Sequence, residues 1–295
     1  MKPFTQTLVR TVGFACLWLA TSSAEAVSPR AYVSVSGSDL NTCNLPTTPC
    51  RTFTGAITQV TSGGEVVVLD SGTFGGGTIS QAVTINAPAG VAALAATAII
   101  VNAGASDVVT LRGITFVSPT PGAGTALTFS GGAGLNVESC VFHGWQYGIY
   151  FGSAGKLNVA DTTLRDGSEG IRLSPASGAI QAELVRVRLL RNDGYALRVL
   201  TGAKAAIKDS VVSGNADGLY AGAIGAELNV ENCLLSYNNS GVYSVAGTIR
   251  IASSTVTNNT VGLFSGGGTL LSRLNNMVEG NSFDTSGTIG TITGK

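Results

Sequence analysis

One short phrase recurs along this chain and constrains its fold more than any other feature. Leu135-Asn-Val-Glu-Ser-Cys140 returns as Leu157-Asn-Val-Ala-Asp-Thr162 and again as Leu228-Asn-Val-Glu-Asn-Cys233. Each copy runs into a turn and then a glycine that opens a short apolar strand. Those glycines are Gly148, Gly170, Gly194, Gly218, Gly241 and Gly262, at steps of 22, 24, 24, 23 and 21 residues. A fixed period of this size means that one supersecondary unit is stacked on copies of itself. Within a copy, apolar and polar residues alternate, which is a strand signal. A helical solenoid would need apolar residues at 3.6 spacing and few glycines. A leucine-rich repeat would need its own leucine consensus. Neither pattern is present.

A second series runs in phase. Asn192, Asn215, Asn238, Asn259 and Asn281 are spaced 23, 23, 21 and 22 apart. Residues of one phase in a β-solenoid stack at about 4.8 Å. Stacked amides can hydrogen-bond along the axis and satisfy turn backbone groups, so this series reads as a structural ladder. Upstream, Glu65–Leu69, Ala82–Ile85, Ala98–Val101, Val108–Leu111 and Ala126–Phe129 read as strands between Gly, Ser and Pro turns. Together these features predict roughly nine or ten rungs of all-β structure.

Composition agrees. The chain has 40 glycines among 295 residues, which suits turns and short strands better than long helices. Its 44% hydrophobic content is enough for a real core. Lys and Arg total 17, as do Asp and Glu, so no net charge draws nucleic acid or an anionic membrane.

The first 26 residues read as a signal peptide. Lys2 and Arg10 precede the apolar run Thr11–Ala20, and Ala24-Glu25-Ala26 fits cleavage before Val27. The run is too short to span a bilayer. The mature chain is therefore expected outside the cytoplasm, secreted or periplasmic, as a monomer without a membrane partner. Residues 27–64 are expected to form an N-terminal cap and 65–295 the solenoid. In the cap, Cys43 and Cys50 flank a short two-proline loop and are the obvious disulfide pair once the chain is exported. Phe53, Ala56, Ile57 and Val60 lie at helical spacing, so a short helix over 51–60 can cover the open end. The end of the chain, Gly287 to Lys295, reads as a last strand or a tail.

One family resemblance follows from these residues. Tyr32-Val-Ser-Val-Ser-Gly-Ser-Asp39, Asn41, Pro49-Cys50, Thr52-Phe53 and Ala56-Ile57 resemble the N-terminal cap of bacterial secreted β-helix proteins of the pectate lyase-like superfamily. The Asn- and Gly-marked rungs are similar to that superfamily's repeat. The resemblance implies a single-stranded, right-handed parallel β-helix with a short N-terminal capping helix. Its members include polysaccharide lyases, hydrolases, epimerases and proteins without known activity, so the fold does not choose among them. The superfamily's hydrolase pattern needs an Asp-Asp and an Arg-x-Lys, and this chain has neither. Its one histidine, His143, sits in Phe-His-Gly-Trp and reads as a turn or surface residue.

Two residues past each marker glycine lie Tyr150, Arg172, Ala196, Tyr220, Tyr243 and Phe264. If the residue after the glycine points inward (Ile149, Ile171, Tyr195, Leu219, Val242, Leu263), these form an outward stripe. Tyr150, Tyr220, Tyr243, Phe264 and the nearby Arg198 are then candidate contacts for sugar rings. One residue before the glycine come Glu169, Asp193 and Asp217, which this register stacks in three successive rungs. Stacked acids beside Arg172 could act as acid and base on a polysaccharide, or bind calcium; no other cofactor is indicated. The same stripe and acids arise from repetition alone, with strand propensity and turn solvation as the only causes. Two classes of function remain: a polysaccharide-binding or surface-associated solenoid, and an acidic-polysaccharide lyase, epimerase or glycosidase. An adhesin is set aside because no anchor segment is evident.

The same register makes three further expectations. Arg186 should face Asp209 and Lys208 should face Glu231, each one rung apart. Cys140 and Cys233 share a phase four rungs apart, about 19 Å, and should be separate buried thiols.

Overall fold

A computed structural model describes residues 27–292. The proposed signal peptide, residues 1–26, lies outside the described residues. Among the described residues, three parallel sheets of twelve, ten and ten strands wind into one coil of about ten turns. Sheet A runs from Ser28–Val33 to Ile289–Ile292, sheet B from Gly72–Thr73 to Met277–Val278, and sheet C from Gly77–Ile79 to Phe283–Ser286. Each turn of the coil gives one strand to A, then B, then C.

The recurring phrase forms the strands of sheet A. Leu135, Leu157 and Leu228 stand in one column, with Ala182 and Ala205 between the last two, and point inward, as do Val137, Val159 and Val230 in theirs. The asparagines between them face out. Sheet C supplies the opposite wall with Ile149, Ile171, Leu197, Leu219, Val242 and Leu263, all buried. Phe129 stacks on Phe151 at 4.0 Å and Phe116 on Phe142 at 4.4 Å, so like residues pile along the axis inside the coil. Removing one such side chain, as in Leu219→Ala, costs about 2–5 kcal/mol because neighbouring rungs hold the cavity open.

The corners need a left-handed backbone. Ser139, Asp161, Arg186, Asp209, Asn232 and Ser253 turn the chain from A to B with φ near +50°. Gly144, Asp166, Arg191, Gly214, Tyr237, Asn258 and Gly280 turn it from B to C. The asparagine ladder follows that second corner. Asn192, Asn215 and Asn238 each donate Nδ2 to the Oδ1 of the next asparagine at 2.9–3.0 Å, and that same oxygen accepts the backbone N–H. Asn259 continues the series to Asn281, which ends on Asp284. The asparagines from Asn192 to Asn259 are buried, so the ladder satisfies polar groups that water cannot reach.

The N-terminal end is closed by a helix over Phe53–Gln59, with Phe53, Ala56 and Ile57 buried. Thr52 caps it, and the Asp39 carboxylate accepts from the N–H of Arg51, the N–H of Thr52 and the Thr52 hydroxyl. A side chain at Gly55 would collide with that carboxylate, which accounts for the glycine in a helix. Cys43 and Cys50 form a disulfide, with their Cα atoms 5.1 Å apart. The last strand among the described residues is Ile289–Ile292; residues 293–295 lie outside them.

Cys140 and Cys233 are separate and buried. They occupy the A-to-B corner phase shared with Thr162, Ser210 and Ser254, whose hydroxyls accept the backbone N–H of the preceding rung. Each thiol donates to the carbonyl two residues back, as the hydroxyls do. Two expected pairs at these corners differ in outcome. Lys208 and Glu231 lie 3.7 Å apart. Arg186 turns instead to Asp161 in the preceding rung, with two hydrogen bonds of 2.6 and 2.8 Å, while Asp209 accepts from Asn232.

Candidate functional site

The register of sheet C corrects the expected stripe. Ile171 pairs with Leu197 and Arg172 with Arg198, and Leu197 pairs with Leu219. Ala196, not Gly194, therefore takes the place of the marker glycine, and it is fully buried. The cause is one extra residue in a single turn. Three residues separate Asn215 from Gly218, and four separate Asn192 from Ala196. The extra residue lies where the chain leaves the ladder, so Asp193 and Gly194 stay in the bend and the strand starts at Tyr195. A slip of this kind changes which side chains face out.

The outward column is thus Tyr150, Arg172, Arg198, Tyr220, Tyr243 and Phe264. Arg198 replaces Ala196 in it. Three residues earlier runs a companion column that includes Tyr147, Glu169, Tyr195 and Asp217, in that order. Glu169 and Asp217 are therefore two rungs apart with Tyr195 between them, and Asp193 is exposed on the turn. The three acids do not stack.

The two columns interlock. Arg172 lies 5.6 Å from the Tyr147 ring centroid and 5.9 Å from that of Tyr150. Arg198 lies 4.6 Å from Tyr195 and 5.6 Å from Tyr220. Tyr195 meets Tyr220 at 4.6 Å, Tyr220 meets Tyr243 at 5.4 Å, and Tyr243 stacks on Phe264 at 4.4 Å. Cation–π contacts and ring pairs of this geometry each add of order 0.5–1.5 kcal/mol. The rings lie down over the loops to sheet A, where side chains at Gly152, Gly222 and Gly266 would strike Tyr150, Tyr220 and Tyr243. Tyr220 is consequently only 9% exposed, while Tyr150, Tyr243 and Phe264 are half-buried.

Glu169 sits at the centre and is 8% exposed. Its Oε1 accepts from Arg198 at 3.0 Å and lies 3.8 Å from Arg172. Its Oε2 is buried with no hydrogen-bond partner, as are Nε of Arg172 and Nε of Arg198. Two guanidiniums share this one carboxylate, which leaves a local surplus of positive charge. Asp217 differs. Burial among the tyrosines pushes its carboxyl above the usual carboxylate range, against a hydrogen bond from Ser240. Burial also raises the Tyr220 and Tyr243 hydroxyls.

Among the described residues no three His, Cys, Asp or Glu side chains group to hold a metal ion. His143 faces Asp166, with Nδ1 3.1 Å from Oδ2, and Asp166 is further held by Arg165 and Arg191. This cluster lies on the B-to-C corner, away from the aromatic columns.

Besides a hollow of about 600 Å³ bordered by Glu65, Thr84, Arg112 and Glu138, sheet A carries two adjoining open concavities that the sequence did not reveal, of about 550 and 490 Å³. They form where Ala206, a small residue, lies between Glu183 and Asn229 in the outward column. Their walls include Lys204, paired with Glu227 at 2.7 Å, and Lys208, near Glu231. Their lining holds no aromatic ring. The rings and the surplus positive charge are on sheet C, so sheet C is the candidate site.

Three parallel sheets wound into a single coil define a parallel β-solenoid. Residues 98–283 match the right-handed beta helix region family, and the chain belongs to that family. It is similar in structure to a rhamnogalacturonan lyase, at TM-score 0.62 and 13% identity, covering 83% of this chain and 75% of that one. It is also similar to XylC in complex with xylose, at TM-score 0.59 and 9% identity, covering 84% and 69%. At these identities the likeness is one of fold. No curated protein matches the chain. Among the described residues no helix is long and apolar enough to cross a membrane.

Proposed function

We propose that this protein is exported and binds polysaccharide along the outer face of sheet C. The observation that carries this reading is the interlocked row of rings and guanidinium planes from Tyr150 to Phe264. It spans six rungs, about 24 Å at the strand spacing. Aromatic faces stack on sugar rings, and Arg172 and Arg198 offer the positive charge that a uronate carboxylate would meet. The two similar structures include a rhamnogalacturonan lyase and a xylose complex, which accords with a sugar ligand. The test is retention on immobilised polygalacturonate and xylan, comparing the wild type with Y243A/F264A. The variant should lose retention; equal retention would remove this face as the site.

A second reading follows from the raised carboxyl of Asp217 beside Tyr195 and Tyr220. A carboxyl that burial makes hold its proton more tightly than usual is suited to donate it to a glycosidic oxygen. Glu169 is occupied by its two arginines, so Asp217 would act without it. Incubation with the same polymers, followed by assays for unsaturated and reducing ends, separates an enzyme from a binding protein.

A further inference from the structure

Tyr237 is the one aromatic residue, among the described residues, with a left-handed backbone. It occupies the left-handed B-to-C corner at φ +57° and is 68% exposed. Its neighbours in that column are Gly214, Asn258 and Gly280, residue types to which this backbone conformation comes at least strain. Arg191, also in the column, uses the position for two hydrogen bonds to Asp166. The Tyr237 hydroxyl makes none among the described residues. A bulky side chain held in a disfavoured conformation and turned to solvent points to a use outside the fold.

The surroundings say which use. Tyr237 borders a shallow concavity of about 490 Å³ with Asn239, Asn258, Thr260 and Ser282. No charged side chain lines it. The buried asparagines beside it, Asn238 and Asn259, are committed to the ladder. The side chains of Asn239, Asn258, Thr260 and Ser282 make no hydrogen bond among the described residues, so their donors and acceptors are free. One ring face beside uncharged groups that both donate and accept matches a neutral sugar, with its apolar face and its ring of hydroxyls.

We propose that this corner is a second carbohydrate site, specific for a neutral pyranose and separate from the charged face of sheet C. Calorimetric titration with cellotetraose, xylotetraose, mannotetraose and maltotetraose tests it, with tetragalacturonate as the charged comparison. At least one neutral tetrasaccharide should bind, and tetragalacturonate should not bind at this corner. Y237N should lower that affinity tenfold or more while raising the thermal midpoint, because asparagine relieves the backbone. Y237W should keep the binding. Y243A/F264A should bind the neutral sugar as the wild type does, even if the sheet C reading fails. No binding by any of the four, or equal binding by Y237N, would overturn the corner site. Loss of the neutral sugar in Y243A/F264A alone would overturn it as well.

Discussion

Arg198 reaches back from one rung to Glu169 in the rung before, and its Nη1 donates to Oε1 at 3.0 Å. The contact joins the two outward columns of sheet C and leaves Glu169 with a buried second oxygen. Arg198→Met should therefore strand a buried carboxylate, with Arg172 at 3.8 Å as the remaining cation. We expect a loss of about 3 kcal/mol in urea unfolding. The double variant E169L/R198L removes the stranded charge as well and should lose less than R198M.

The ladder makes a sharper demand. Asn238 Oδ1 accepts from both the backbone N–H and the Nδ2 of Asn215, and its own Nδ2 donates to Val212 O and to Asn259. Asn238→Ala orphans buried groups on both sides and should cost about 2–4 kcal/mol. Asn232→Ala, at an exposed corner, is the control and should change stability by less. Chemical denaturation of both variants compares the two positions directly.

Asp217 sets a pH dependence. Burial raises its folded carboxyl above the unfolded value. Its favourable contribution is complete below the unfolded pKa and is lost as pH rises through the folded pKa. Asp217→Asn should thus be more stable than the wild type above the carboxylate range, and the difference should close on acidification. Thermal midpoints measured against pH would show it; a constant offset would contradict the burial.

The two free thiols among the described residues, Cys140 and Cys233, should be inert. Burial pushes Cys140 up to about 12 and Cys233 up to about 11, so almost no thiolate exists near neutrality. A thiol-reactive disulfide reagent should label neither in the native protein and both after denaturation. Labelling of Cys140 before Cys233 would mean local opening of the earlier rungs.

Much of the fold was legible because the repeat writes the same instruction many times. The phrase around Leu135, Leu157 and Leu228, the asparagine series and the Cys43–Cys50 loop each favoured a structural reading over a chemical one, and in the repeats neighbouring copies supported one another. The candidate site was less legible for the converse reason. Its register rests on one turn, at Asn192, where a single added residue moves Arg198 into the stripe and Asp193 out of the row of acids. Its one mark in the sequence is a spacing: Gly194 follows Asn192 by two positions, where Gly218, Gly241 and Gly262 follow their asparagines by three. Tyr237 carries no mark in the sequence, because its interest lies in a backbone angle and an exposure.

The sequence by itself determined that this chain is a β-solenoid, where its rungs fall, and, except in the rung after Asn192, which of the residues beside the marker glycines line its axis. Periodic burial is a property of spacing, and spacing is written in the chain. Only the tertiary structure decided which outward side chains meet. It paired Arg198 with Glu169, turned Arg186 to Asp161, laid the tyrosines over the loop glycines and opened the hollows at Ala206. Those outcomes depend on contacts between rungs 20 to 30 residues apart, where a one-residue difference in a turn outweighs the pattern on either side of it.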